Sequence, residues 1–359
     1  MRARRRPGPV RVAAAVAATV LPFASFGLLV RRGANRLMAP PRRLPEEAGL
    51  VSELDALGGE VVRLRSRDGT RLAARWLPAA PDDGVAWPLD AHEAILLLHG
   101  WNGSIAPDMV EYAPFLRRSA AVLGLDFGGH GDSDDAPTTF GWREVEDVAG
   151  ALTWLGERGI RRVVIMGSSM GGITAISAVA VLGDGALAAA DADPDAPVPS
   201  APAPRPRIVA VVADSVAPDL VTAVANRIHT PLPRLVAGRL LAGMAAHLGA
   251  DPRATEPIRV VGLVEPVPLL LIAGADDRTV PLAAADRLAA AAGPSHRRLV
   301  VPAADHGLAH RTDPAGYESA VTEFVRTALV EARDAAGILR EEPRRAAGAP
   351  SGQPHQEPI

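Results

Sequence analysis

The chain contains no cysteine, which excludes disulfides, cysteine-ligated zinc and thiol catalysis. It also lacks lysine. Every basic residue is arginine, which reads as composition bias and carries little functional information. A basic excess is missing as well: the formal net charge of −3 argues against a chain built around nucleic-acid phosphates, and no nucleic-acid partner is expected. What the chain has in quantity is apolar side chains. At 48% hydrophobic residues over 359 positions, it can bury a sizeable core in one large domain or two small ones.

An uncharged run near the N-terminus is the first informative segment. Val12–Val30 carries no charge and is bracketed by Arg2, Arg4, Arg5, Arg6 and Arg11 before it and by Arg31 and Arg32 after it. As a helix the run would span roughly 28 Å, close to the hydrocarbon thickness of a bilayer. Three readings compete: an uncleaved single-pass membrane anchor, a cleaved signal peptide and a buried helix. No small-x-small site follows the apolar stretch, and a buried helix is not normally flanked by arginine clusters, so the anchor is preferred and a cell-membrane location is expected. Arginines on the two sides balance, leaving the orientation open.

Residues 1–39 therefore read as an anchor or signal segment and 40–59 as a polar, proline-containing linker. The main domain covers 60–332, and 333–359 forms a tail rich in Glu, Arg, Pro and Gly that is expected to be disordered. Within the domain, Asp68-Gly69 marks a hairpin between two short apolar runs. Strands and helices then alternate, which predicts an α/β fold with a mostly parallel central sheet covered by helices on both faces. The expected buried strands are Ala94–Leu98, Ala121–Leu125, Arg162–Met166, Ile208–Ala213, Pro268–Ala273 and Arg298–Val301. Their near-continuous Val, Ile and Leu content suits strands covered on both sides. Gly183–Pro206 reads as a solvated loop. Val216–Gly262 reads either as a helical lid or as an enlarged ordinary crossover.

The chemistry-bearing motif is Gly167-Ser168-Ser169-Met170-Gly171, placed between the strand ending at Met166 and an apolar helix. A serine nucleophile on a sharp strand-to-helix turn needs glycine two residues before and after it, because side chains there would strike neighbouring backbone. Only Ser169, and not Ser168, has glycine at both positions. A serine hydroxyl needs a base, and the base needs a carboxylate to orient it. The strand Pro268–Ala273 runs into Asp276 and Asp277, and the strand Arg298–Val301 runs toward His306, with His310 close behind as a rival base. Taken alone, each aspartate also reads as a turn former or helix cap. An oxyanion hole is expected from the backbone N–H groups of Trp101, in His99-Gly100-Trp101-Asn102-Gly103, and of Met170. His99 precedes the other members of the set and reads as structural.

With these motifs in hand, the chain resembles the α/β-hydrolase superfamily from about Glu60 to Ala332. The likeness rests on H-G-W-N-G after an early strand, D-F-G-G-H-G-D-S at Asp126–Ser133, the serine elbow, G-x-x-D-x-x-V-P at Gly274–Pro281 and D-H-G at Asp305–Gly307. The resemblance selects Asp277 over Asp276 as the acid, three residues after Gly274. It also notes Gly128 where arginine is more usual. It implies a catalytic triad of Ser169, Asp277 and His306 and a small-molecule acyl substrate, with no cofactor and no metal. Among the members, membrane-anchored esterases, thioesterases and lipases are the most similar. A peptidase or amidase on the same residues, or a catalytically silent interaction protein, are the alternatives.

Overall fold

Five parallel strands with unbroken apolar interiors form the centre of the sheet, and apolar clusters cover both of its faces. The computed structural model describes residues 27–80, 87–183 and 205–346. It opens inside helix α1 (27–38), followed by a 3₁₀ turn at Pro45–Gly49 and α2 (Leu50–Ala56). The sheet strands are β1 (Glu60–Arg65), β2 (Arg71–Leu77), β3 (Glu93–Leu98), β4 (Ala121–Leu125), β5 (Arg162–Ser168), β6 (Arg207–Asp214), β7 (Leu269–Gly274) and β8 (His296–Val301). Between them lie α3 (Ala106–Leu116), α4 (Glu144–Glu157), α5 (Met170–Leu182), α6 (Leu220–Ala225), α7 (Pro233–Leu248), α8 (Pro257–Val260) and α9 (Leu282–Ala291). The chain closes with α10 (Ala309–Thr312) and α11 (Pro314–Ala346).

The eight strands form one sheet in the order β1-β2-β4-β3-β5-β6-β7-β8. Strand β2 pairs antiparallel with β1 and β4, and the remaining pairs are parallel, as in the α/β-hydrolase fold. Residues of β3 are buried on both faces, Ile95 and Leu97 toward one apolar cluster and Leu96 and Leu98 toward the other. This two-sided burial is the reason for the unbroken apolar run, since neither face of a parallel strand meets water. The hairpin at Asp68-Gly69 forms as its sequence suggests: Gly69 takes a positive φ of 94°, and the Asp68 carboxylate accepts from the Thr70 N–H at 3.0 Å.

Three expectations need correction. The supposed linker over 40–59 is partly helical and packed: Glu47 is buried, and Ser104 Oγ donates to its carboxylate at 2.6 Å. The tail is not irregular from 333 onward, because α11 continues to Ala346. Its amphipathic repeat buries Tyr317, Val321, Phe324, Val325, Ala328 and Leu329 along one stripe, and Arg333 still reaches the buried Glu93 carboxylate at 2.7 Å. Lastly, the final four residues of Val12–Val30 belong to α1, which runs on past Arg31 and Arg32 and packs on the domain. Among the described residues no helix is long and apolar enough to cross a membrane, and residues 1–26 lie outside them.

The turn at Asp126–Ser133 shows how the domain dispenses with an arginine at position 128. Asp126 accepts from the N–H groups of Ile105 (2.8 Å) and Asp132 (3.0 Å), and Ser133 Oγ joins it to β2. A Cβ on Gly128 would lie 2.9 Å from both Ala136 Cβ and an Arg143 nitrogen, so Arg143 from the following helix fills that space. The Gly128 N–H donates to the fully buried Asp147 at 2.9 Å. Burial pushes the Asp147 carboxyl up from 3.8 to about 7, against the pull of the Arg143 charge and the Gly128 N–H. Between these values the folded protein keeps a proton that the unfolded chain has lost. Stability should therefore fall as pH rises through that window, by at most about 1.4 kcal/mol per pH unit from this group. Asp147→Asn should melt above the wild type near pH 8 and level with it near pH 4. A wild-type protein that melts higher near pH 8 would show that the charged form is the stabilised one.

Candidate active site

Ser169 sits where β5 becomes α5, with φ 52° and ψ −111°. This strained backbone is over-determined by its surroundings. Its N–H donates to Asp214 O on the neighbouring strand at 2.8 Å, and its carbonyl accepts from Ile173 N at 3.0 Å. The flanking glycines are needed because backbone meets backbone there. A Cβ on Gly167 would come within 2.2 Å of Gly171 C, and one on Gly171 within 2.3 Å of Leu98 O.

The ends of β7 and β8 bring two further side chains to the same place. His306 Nε2 lies 3.0 Å from Ser169 Oγ, and its Nδ1 lies 2.8 Å from Asp277 Oδ2. The second Asp277 oxygen accepts from the N–H groups of Thr279 (2.8 Å) and Val280 (2.7 Å), so the buried carboxylate holds its own loop as well as the imidazole. Asp276, one residue earlier, is exposed. A clamp joins the two loops: Arg278, next to Asp277, pairs with Asp305, next to His306, at 2.5 Å. The Arg278 guanidinium holds the Asp305 carboxyl well below the usual carboxylate range.

The other histidines take structural places. His310 bridges Glu111 (3.1 Å) and Glu318 (3.2 Å) away from Ser169. His99 is fully buried, and burial holds it well below its ordinary value. As a neutral ring it accepts from the Phe127 N–H at 3.1 Å and donates to Gly100 O at 2.8 Å, shaping the turn that precedes Trp101. Asp214 does not touch His306. Its oxygens accept from Ser215 Oγ and Tyr317 OH, each at 2.9 Å, and burial raises its carboxyl to about 6. Ser215 Oγ in turn accepts from the N–H of Gly307 at 3.1 Å, so Asp214 supports the histidine loop from below.

Above Ser169 lies a cavity of about 280 Å³, apolar except for Ser169, Arg36 and Arg227. Trp101 and Met170 line it, and Gly100 backs onto Ser169 so closely that a Cβ there would lie 3.9 Å from Ser169 Cβ. The Met170 N–H, in the first turn of α5, has no acceptor within its own helix. The crossover after β6 forms one wall through Ala217, Ala223, Val224, Arg227, Ile228 and Leu240. The opposite wall is α1, through Gly33, Arg36 and Leu37. Trp101 Nε1 donates to Leu37 O at 3.0 Å, and a Cβ on Gly33 would meet Leu240 Cδ2 at 2.6 Å.

Sequence reasoning missed α1, Arg227 and the Arg278–Asp305 clamp as parts of the site. Only the clamp left a signal, in opposite charges placed one residue from each half of the Asp–His pair. The wall role of α1 makes a prediction that reverses the one its anchor reading invites. A chain beginning at residue 27 should keep its activity, whereas one beginning at residue 40 should fold but lose at least about tenfold in kcat/KM, as a displaced Trp101 loop implies. Equal activity of the two truncations would show that α1 is dispensable to the site.

Residues 95–320 match the sequence profile of the alpha/beta hydrolase family. The curated proteins similar to this chain include the uncharacterized protein YfhR of Salmonella typhi, 24% identical over 75% of this chain and 82% of that protein. YfhR of Escherichia coli strain K12 is 25% identical over 77% and 83%. Among solved structures, the Pyrococcus furiosus esterase Pf2001 superposes with a TM-score of 0.57 at 20% identity, covering 81% of this chain and 98% of the esterase. A puromycin hydrolase superposes at 0.55 and 21% identity, over 76% of this chain and 39% of its own. With the family profile matched over more than half its length and an eight-stranded sheet in the order that fold uses, the chain belongs to the alpha/beta hydrolase family.

Proposed function

We propose that this protein is a serine hydrolase that cleaves a carboxylic ester or acyl thioester through an acyl-enzyme intermediate, with Ser169 as nucleophile, His306 as base and Asp277 as acid. The observation that carries the reading is the unbroken hydrogen-bonded chain from Asp277 through His306 to the strained Ser169. A neutral imidazole that donates its Nδ1–H to Asp277 carries its lone pair on Nε2, the atom facing Ser169 Oγ. Ser169 Oγ then attacks the carbonyl carbon while its proton passes to Nε2. The N–H groups of Trp101 and Met170 take the charge that develops on oxygen. His306 returns the proton to the leaving alkoxide or thiolate. A water then loses a proton to the same nitrogen, attacks the acyl-enzyme and releases the acid, restoring Ser169. The apolar cavity supports an acyl chain over a charged peptide. The arginine-bracketed run ahead of α1 is proposed to hold the enzyme at a membrane, and cell fractionation of the full chain against one starting at residue 27 tests that.

A fluorophosphonate probe should label the folded protein at Ser169, located by mass spectrometry; an adduct on Ser168, or none, would reject the nucleophile. Asp277→Asn should lower kcat by roughly 10³–10⁴ through loss of the correct tautomer. Asp276→Asn, at an exposed position, should shift stability by no more than about 0.5 kcal/mol and leave kcat near wild type. An inactive Asp276→Asn beside an active Asp277→Asn would place the acid one residue earlier.

A further inference from the structure

Arg227 occupies an unusual position. It lies just beyond α6 on the crossover, and its Nη2 donates to His306 Nε2 at 2.9 Å and approaches Ser169 Oγ at 3.5 Å. Its Nη1 donates to Ala223 O at 2.6 Å. Among the described residues no carboxylate lines the cavity or pairs with this guanidinium. The residue is exposed, and partial desolvation by the surrounding protein lowers its proton affinity while Asp277 partly restores it. An arginine stays charged under any ordinary condition, so this is a solvent-exposed cation at the rim of an apolar cavity, with no carboxylate in direct contact among the described residues. A second cation, the exposed Arg36, lines the same cavity.

The contact with Nε2 has a chemical consequence. That nitrogen has one lone pair in the plane of the ring, and acyl transfer needs it for the Ser169 proton. While Arg227 donates to it, the base is occupied. The guanidinium must move aside for acyl transfer, and an anion on the substrate is a partner that holds it there. Nε2 is also the atom that reprotonates the leaving oxygen, so a group held by Arg227 lies on the leaving-group side of the scissile bond. Resting on the ester-hydrolase reading above, we propose that Arg227 is the receptor for a carboxylate or phosphate on the alcohol portion of the substrate, and that engaging this anion frees His306. Guanidinium geometry matches both anions through paired N–H donors.

The test compares anionic substrates with their neutral counterparts on the full chain. O-butyryl glycolate is set against the neutral O-butyryl glycolamide, and 1-butyrylglycerol 3-phosphate against 1-butyrylglycerol, with released butyrate measured in each case. The wild type should favour at least one anionic partner by about tenfold or more in kcat/KM, the scale of one charge-assisted hydrogen bond. The pair with the larger ratio identifies the anion. Arg227→Gln should bring that ratio below about twofold, and Arg227→Lys should retain an intermediate preference, because a point charge replaces the fork. Fluorophosphonate labelling of Ser169 in each variant confirms a folded site. Equal use of neutral and anionic esters by a labelled wild type, or an unchanged ratio in a labelled Arg227→Gln, overturns the role of Arg227 and leaves the hydrolase intact. A folded wild type that neither labels nor cleaves any of the four esters overturns both.

Discussion

The close approach of α5 to β3 is the constraint on which the rest of the site depends. Gly171 lies against the carbonyl of Leu98, and Gly167 lies against Gly171, so the helix axis is brought down onto the strand ends. That approach tips Ser169 into its positive-φ conformation and lifts its hydroxyl above the sheet. It also brings the turn after β3, with Gly100 and Trp101, alongside the serine. A serine held this way needs no rearrangement to meet an incoming carbonyl. The cost of the strained residue is met by the packing of an α5 whose residues are almost all buried.

Around that centre the labour is divided by element. The sheet supplies the groups able to move protons, each at the carboxyl end of a parallel strand, where open α/β sheets place their ligands. The walls come from elsewhere: the crossover after β6 on one side and α1 on the other. These two meet directly, Gly33 against Leu240 and Ala34 against Gly243, without passing through the sheet. Polar ties then hold the loops to the frame. Arg278 and Asp305 join the aspartate loop to the histidine loop, and Ser215 and Asp214 join the latter to β6 and to Tyr317 on α11.

What the sequence disclosed follows from how local each signal is. A buried parallel strand is written in consecutive residues, and all six expected strands lie within two residues of their observed ends. The elbow is equally local, because its glycines are required by contacts within the same turn and the strand beside it. Ser169, Asp277 and His306 were legible as strand-end residues in one chain order, and the structure brings them within hydrogen-bond reach. The segment from 27 to 56 was opaque for the opposite reason. Only the last four residues of the uncharged run lie in it, and a helix carrying Arg31, Arg32 and Arg36 does not name the protein surface on which it packs. Arg227 was hidden likewise, since a single arginine in an arginine-rich chain announces nothing until its neighbours are known. The length of α11 was underestimated because the Glu, Arg and Gly content beyond residue 332 masks the helical repeat that carries its earlier turns.

The pairing of α1 with α7 also bears on the order in which the molecule comes together. α1 precedes every strand of the sheet in the chain, yet its packing partner Leu240 belongs to a helix made after six of the eight strands. Closing so large a loop is unfavourable until the intervening strands have drawn its ends together. Ala34, buried in the finished protein against Gly243 of α7, gains that cover only after β1 through β6 have been synthesised. The contact that joins the two cavity walls therefore cannot form before α7 has been made.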